Sequence, residues 1–147
     1  MADKVKFELV SPERMLVSAD VDMVVVPGAE GYFGVLPGHA PLISTVRPGT
    51  IDIYHGSTVT ERLFVVGGFA EVTAERCTVL ADEAMSVSEL TRDHAEAELV
   101  DVNREMPALQ AAAQRGEPEG VAKLKAAERR QTIAQAQLDA LSGPTAH

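Results

Sequence analysis

The sequence has 147 residues, which is enough for one ordinary domain or for a small domain with an appended segment. Apolar residues make up 46% of it, so it can form a hydrophobic core and is not expected to be disordered. Its 22 acidic and 13 basic residues give a net charge of −9, which argues against binding to the phosphates of nucleic acid. The single cysteine excludes an intramolecular disulfide bond and zinc sites built on several thiolates.

Membrane and targeting signals are missing from the pattern, and the composition changes along the chain. No apolar run reaches the roughly 18 residues that a membrane helix needs, and the N-terminal residues lack a signal-peptide pattern. We therefore expect a protein of the bacterial cytoplasm without direct membrane insertion. All aromatic residues lie at or before Phe69, whereas the residues after Ser88 are rich in Ala, Leu, Glu, Gln and Arg. Two kinds of structure are therefore predicted.

The first part of the chain has the pattern of short strands. Val5, Phe7 and Leu9 alternate with polar residues, as in a half-buried strand. Residues 21–26 form a β-branched run closed by Pro27 and Gly28, which fits a strand buried on both faces or at a sandwich core. Further strands are predicted at residues 50–54, 59–66, 69–72 and 77–81. Strands at this spacing indicate an antiparallel sandwich or barrel.

A glycine-rich loop is predicted between residues 27 and 41. Its glycines, at positions 28, 31, 34 and 38, supply positive φ or close backbone approach. Tyr32 and Phe33 stand between them, and such aromatics either fold back onto the core or face a partner. We expect Phe33 to pack on the core and leave Tyr32 open.

The last part of the chain has the pattern of a helical hairpin. Ser86 and Glu89 match a capping box that predicts the start of the first helix. Residues 116–120 predict a turn, with Gly116 ending one helix and Pro118 starting the next. The two apolar stripes are Leu99, Val102, Met106, Leu109 and Ala113, then Leu124, Ala127, Gln131, Ala134, Leu138 and Leu141. Small residues in these stripes predict a weakly held antiparallel pair, and Pro107 predicts a kink or a break.

Few residues suggest chemistry. The histidines, at positions 39, 55, 94 and 147, form no zinc-protease pattern, and His39 is expected to bond to the backbone of its loop. Cys77 is expected to be a small buried apolar residue. No catalytic, metal or cofactor-binding residue is predicted. The basic doublet Arg129–Arg130 predicts either a solvated helix face or a surface for an acidic partner.

Several motifs together resemble a known family. Residues 27–42 read Pro-Gly-Ala-Glu-Gly-Tyr-Phe-Gly-Val-Leu-Pro-Gly-His-Ala-Pro-Leu, and residues 47–51, 66–72 and 79–84 match further pieces in the same order. This combination resembles the ε subunits of bacterial F-type ATP synthases. The resemblance implies a β-sandwich of about ten strands over residues 1–86 and a two-helix hairpin over residues 87–147.

The resemblance also implies a function and partners. Members of the family are non-catalytic rotor subunits that couple rotation of the membrane c-ring to the γ subunit, at the cytoplasmic face of the bacterial inner membrane. Six residues match the end of the sandwich that meets the partners in the family: Glu30, Gly31, Tyr32, Phe33, His39 and Leu42. A free-standing binding module and a barrel enzyme remain as alternatives, and co-purification with an ATPase complex would distinguish them.

In the family the hairpin changes position and regulates ATP hydrolysis. By similarity, Arg129 and Arg130 are candidates for contacts with the catalytic α and β subunits. The ATP-binding motif of some members is degraded here, because Thr91 stands at its Asp position and His94 at its Arg position. We therefore predict no tight ATP binding. The alternative for regulation is a non-inhibitory hairpin, with inhibition supplied by another protein.

Overall fold

The computed structural model describes residues 3–143, which contain ten strands, a short 3-10 helix and two α-helices. The strands are β1 Val5–Val10, β2 Met15–Val21, β3 Met23–Gly28, β4 Gly31–Val35, β5 Leu42–Val46, β6 Gly49–His55, β7 Thr58–Val65, β8 Gly68–Val72, β9 Arg76–Ala81 and β10 Ala84–Ser86. The 3-10 helix is Val87–Glu89, and the α-helices are α1 Arg92–Gln114 and α2 Pro118–Leu141. The chain divides into two compact units, the first ending at Glu89 and the second running from Leu90 to Gly143. The predicted fold class, a β-sandwich followed by two helices, is confirmed.

The strands join into one curled sheet in the order β10-β7-β6-β3-β5-β8-β9-β1-β2, with β4 paired to β3. All pairs are antiparallel except β1 with β9, which is parallel, with Phe7 opposite Cys77 and Leu9 opposite Val79. This pair is the exception to the predicted antiparallel sandwich or barrel. Alternation in the sequence identifies a strand, but it does not reveal the direction of a partner that lies far away along the chain.

The core of the sandwich is formed by the inward-facing side chains of the sheet. Val5, Phe7 and Leu9 are almost completely buried while their neighbours are more exposed, so the predicted alternation of β1 is confirmed. Val24, Val25 and Val26 are all buried, as predicted for a strand covered on both faces. The core cluster consists of Val5, Phe7, Leu9, Val21, Val24, Val26, Val35, Val46, Ile51, Ile53, Leu63, Val65, Ala70, Val72, Cys77, Val79 and Ala81.

Two strand predictions need correction. The apolar run 21–26 is not one strand, because Asp22 separates β2 from β3. The Asp22 carboxylate accepts hydrogen bonds from the Lys4 ammonium and from the Gly56 amide, so it links the bend between β2 and β3 to the β6–β7 turn. The predicted loop 27–41 contains strand β4, which pairs with β3. Its sequence, Gly-Tyr-Phe-Gly-Val, has the glycine content of a loop, although its backbone is extended.

The start of the first helix also differs from the prediction. The Ser86 hydroxyl accepts a hydrogen bond from the Ser88 amide at 3.3 Å, but the structure that follows is only the 3-10 helix. Helix α1 begins later, and its N-cap is Thr91, whose hydroxyl accepts from the His94 amide at 3.4 Å. Helix α1 then continues through Pro107 without a break. Because Pro107 is exposed, water can reach the carbonyl that the proline leaves unpaired.

The turn between the helices follows the predicted chemistry. Gly116 has φ +76° just after α1, and Pro118 is the first residue of α2. Gly120, however, is a buried helical residue and does not belong to the predicted turn. A Cβ there would lie 2.8 Å from the Ala112 Cβ, so glycine allows the two helices to approach closely.

The two helices are antiparallel and their seam is poor in large side chains. Position 120 lies beside 112 at the turn, and the Gln131 amide donates to the Asn103 oxygen at 2.7 Å further along. Within the two helices the buried residues are Ala95, Val102, Gly120, Ala127, Ala134 and Ala140. Val102 is thus the one buried side chain larger than alanine in this pair of helices. The predicted alanine-rich seam is confirmed, and it contributes little hydrophobic free energy.

Candidate functional site

A hairpin tip at one end of the sandwich brings together most of the residues predicted as interface candidates. Strands β3 and β4 pair up to Gly28 opposite Gly31, so Ala29 and Glu30 form the two-residue turn between them. Gly31 has φ +139°, a conformation that other residues rarely adopt. Ala29 and Glu30 are exposed. We call residues 28–33 the tip hairpin.

An open groove of about 520 Å³ lies between the tip hairpin and strand β5. Its lining includes Glu30, Gly31, Tyr32, Phe33 and Leu42, and so unites five of the six candidates at this end of the chain. The groove has no buried charged group and no cluster that could bind a metal; within residues 3–143 no group of three or more potential metal ligands occurs.

The individual candidates have different environments. Phe33 is half-buried and packs against the core cluster, as predicted, while Tyr32 lies under the Arg47 guanidinium, 4.8 Å from the ring centroid. His39 does not line the groove. Its Nδ1 is 2.6 Å from the Ala40 carbonyl oxygen, which can only accept, so Nδ1 carries the proton. The predicted backbone bond of His39 is confirmed.

A second surface feature is an apolar patch on the outer face of the sheet, which the sequence reasoning missed. Phe69 and Leu80 stand opposite each other on β8 and β9, and Ile43 stands diagonally from Phe69 on β5. Their exposed fractions are 73% for Ile43, 56% for Phe69 and 53% for Leu80. A hollow of about 210 Å³ lies among them. We call Ile43, Phe69 and Leu80 the apolar patch.

A signal for this patch exists in the sequence. Val79, Leu80 and Ala81 are consecutive apolar residues in a strand, so one of them must face away from the core. Burial of Val79 and Ala81 leaves Leu80 outside. Apolar side chains on adjacent strands that all face solvent are typical of a protein interface.

The basic doublet of the hairpin is not a free pair of cations. The Arg130 guanidinium donates from Nε to Glu98 and from Nη1 to Glu105, both at 2.7 Å. These carboxylates raise the pKa of Arg130 and connect α2 to α1. The two carboxylates of the hairpin therefore compete with an acidic partner for Arg130. Arg129, the residue before it in the helix, is exposed.

The other residues singled out in the sequence have structural roles. Thr91 and His94, which stand at the degraded ATP-motif positions, are joined by the N-cap hydrogen bond of α1. Cys77 is buried in the core, and burial raises the pKa of its thiol to about 12, so it is predominantly a neutral thiol. His147 lies outside the described residues. Within residues 3–143, no helix has the length and apolar character needed to cross a membrane.

Comparison with known proteins agrees with this geometry. Residues 4–87 match the family model described as ATP synthase, Delta/Epsilon chain, beta-sandwich domain. The chain is 65% identical over 97 residues to the ATP synthase epsilon chain of Paramagnetospirillum magneticum, covering 66% of this chain and 73% of that one. It is 36% identical over 140 residues to the ATP synthase epsilon chain of Gluconacetobacter diazotrophicus, covering 95% of this chain and 94% of that one.

A solved structure shares the fold. A chain of the Euglena gracilis mitochondrial ATP synthase, in a structure that comprises OSCP, F1 and the c-ring, superposes with a TM-score of 0.79 at 18% identity. The superposition covers 96% of this chain and 83% of the other. At this identity the likeness speaks for the fold, and the family assignment depends on the sequence matches. On those matches, the chain belongs to the ATP synthase delta/epsilon family.

Proposed function

We propose that this chain is the ε subunit of an F-type ATP synthase and acts as a non-catalytic part of its rotor. In this role it couples proton-driven rotation of the c-ring to the γ subunit, and through γ to the catalytic head during ATP synthesis. Support comes from family membership and from bacterial relatives named ATP synthase epsilon chain. The fold-level neighbour, which comes from an ATP synthase assembly with a c-ring, is consistent with this role.

The observation that carries the proposal is the apolar patch. A rotor subunit must transmit torque without slipping, so it needs a firm contact with the shaft, and apolar burial supplies such contacts. Ile43, Phe69 and Leu80 form the largest set of exposed apolar side chains that share one sheet face within residues 3–143. We propose that the γ subunit covers this patch.

The tip hairpin is proposed to face the polar loops of the c-ring. Its exposed turn carries Glu30, a carboxylate suited to hydrogen bonds and ion pairs with polar or basic loop residues. Leu42 on the opposite wall of the groove adds an apolar contact that is 37% exposed. His39 is proposed to belong to the same end of the sandwich. In this arrangement the subunit is peripheral, at the cytoplasmic face of the bacterial inner membrane.

The two parts of the chain are proposed to have separate tasks. Residues 1–86 form the coupling module, and residues 87–147 form an arm that regulates ATP hydrolysis through contacts of Arg129 and Arg130 with the catalytic subunits. The alanine-rich seam supports this role, because two helices joined by so little buried apolar surface can come apart at low free-energy cost.

One observation favours the alternative of a non-inhibitory arm, with inhibition supplied by another protein. Arg130 already has two carboxylate partners inside the hairpin, so a contact with the catalytic head would have to replace both. Truncation of the assembled complex after Ser88 distinguishes the two. A rise in ATP hydrolysis supports an inhibitory arm, and an unchanged rate supports the alternative.

The rotor assignment is tested by purification of the tagged full chain from gently solubilised membranes of its source. We expect γ, the c-ring and the catalytic subunits to co-purify with it in constant proportion. A chain that forms a stable oligomer of itself and does not capture γ would instead be a free-standing binding module.

A further inference from the structure

We infer that Arg47 is a positioning residue that fixes the tip hairpin on the sandwich, and that Gly49 is required beside it for steric reasons. The inference rests on the proposed function, because it concerns how the carboxylate of Glu30 is held toward its partner. Arg47 lies between β5 and β6, and Gly49 is the first residue of β6.

Few hydrogen bonds of the sheet hold the tip hairpin on the side of strand β5. Strand β3 pairs with β5 at a single position, Gly28 opposite Val46. Two backbone hydrogen bonds beyond that pair extend the connection: the Arg47 amide donates to the Pro27 carbonyl at 2.9 Å, and the Ala29 amide donates to the Thr45 carbonyl at 3.0 Å. The orientation of the turn therefore depends on a few contacts rather than on a long ladder.

The side chain of Arg47 adds two contacts to the same hairpin. Its Nε donates to the Gly28 carbonyl at 3.0 Å, and its guanidinium carbon lies 4.8 Å from the centre of the Tyr32 ring. One contact reaches each strand of the hairpin, because Gly28 ends β3 and Tyr32 belongs to β4. A planar guanidinium can donate along its edge while its face covers a ring, which an ammonium group cannot do.

Gly49 leaves the space in which the hairpin fits. A Cβ at position 49 would lie 2.9 Å from the Pro27 Cβ and 3.2 Å from the Tyr32 hydroxyl oxygen. Gly49 does not have a positive φ, so the requirement for glycine is steric rather than conformational. Arg47 and Gly49 thus both act on Tyr32: the guanidinium of Arg47 attracts its ring, and the missing side chain of Gly49 leaves room for it and for Pro27.

The first measurement is amide hydrogen exchange of Ala29 by NMR on the full-length subunit. Because Ala29 donates to Thr45 only while the tip hairpin is docked, its exchange rate reports the undocked fraction. We expect Arg47→Gln and Gly49→Ala each to raise that rate at least about tenfold, and Arg47→Lys to have a smaller effect. Arg14→Gln, at an exposed arginine in the β1–β2 turn, is the matched control and should leave the rate unchanged.

Exchange of core amides in β1 and β9, followed in the same spectra, separates loosening of the tip from unfolding of the sandwich. The inference requires core exchange to stay as in the wild type while Ala29 exchange rises. Unchanged Ala29 exchange in both Arg47→Gln and Gly49→Ala would overturn it, as would an equal rise at tip and core. Gly49→Ala keeps the arginine charge, so it answers the question even if Arg47→Gln fails to fold.

A second measurement separates this inference from the proposed function. In the reconstituted ATP synthase, we expect Arg47→Gln to lower ATP-driven proton pumping at least about twofold at an unchanged rate of ATP hydrolysis, whereas Arg14→Gln pumps normally. A loosened tip with normal pumping would contradict the c-ring role of the tip hairpin and leave the positioning role of Arg47 standing. Exchange of the Ala29 amide at the wild-type rate in the variants would overturn the positioning role itself.

Discussion

Leu80 and Leu36 provide a matched pair for testing the apolar patch. Leu80 is 53% exposed on the patch, whereas Leu36 is 54% exposed in the segment after β4 and does not line the hollow of the patch. Full burial of a leucine side chain contributes about 1.5–3 kcal/mol, so covering the exposed half of Leu80 contributes about 0.8–1.6 kcal/mol. Leu80→Ser should therefore weaken binding to γ by about 4- to 15-fold.

The assay is titration of purified γ subunit with the two full-length variants and the wild type. Leu36→Ser should bind γ like the wild type, and neither variant should alter the melting temperature much, because both side chains are exposed in the free subunit. Equal weakening by both variants, or normal binding by Leu80→Ser, would refute the assignment of γ to the patch.

Three further predictions concern other parts of the chain. The hydrogen bonds from Lys4 and Gly56 hold the pKa of Asp22 below the ordinary aspartate value of about 3.9. Asp22 therefore stabilises the fold above about pH 4, and this contribution is lost as the pH falls through its lowered pKa. Denaturation profiles should show that the Asp22→Asn variant loses less stability below pH 4 than the wild type does. Removal of the two cross-helix contacts by Arg130→Gln should raise amide exchange along α1 and α2, while Arg104→Gln, at an exposed arginine, should not; equal exchange in both would contradict the role of Arg130. Calorimetry of the subunit with ATP should give no micromolar affinity, and such an affinity would refute the interpretation of the degraded motif.

The strands were predictable wherever one residue in two faces the core. Val5, Phe7 and Leu9 reveal β1 without any other information, because burial of one sheet face imposes period two. Strand β4 was missed because its sequence, Gly-Tyr-Phe-Gly-Val, has no alternation of apolar and polar residues and is rich in glycine, as loops are. The parallel pairing of β1 with β9 was missed because it joins segments about seventy residues apart, and no local pattern specifies that partner.

The candidate site was only partly predictable, for a similar reason. The resemblance of residues 27–42 identified six interface candidates at this end of the sandwich, and the structure places five of them around one groove. Arg47 contacts Tyr32, 15 residues earlier in the chain, and Arg130 contacts Glu105 and Glu98, which lie 25 and 32 residues earlier. A local sequence pattern does not reveal contacts between residues so far apart. The helix start was misplaced because Ser86 has the features of a cap, yet it caps only a 3-10 helix.

We propose that this chain is a rotor subunit whose sandwich binds γ through the apolar patch and faces the c-ring through the tip hairpin. Electron cryo-microscopy of the intact ATP synthase from the source membranes tests it most directly. The account predicts the sandwich on the central stalk, with Ile43, Phe69 and Leu80 covered by γ and Glu30 facing the c-ring loops. An assembly in which this patch is exposed to solvent and the tip hairpin points away from the ring would contradict it.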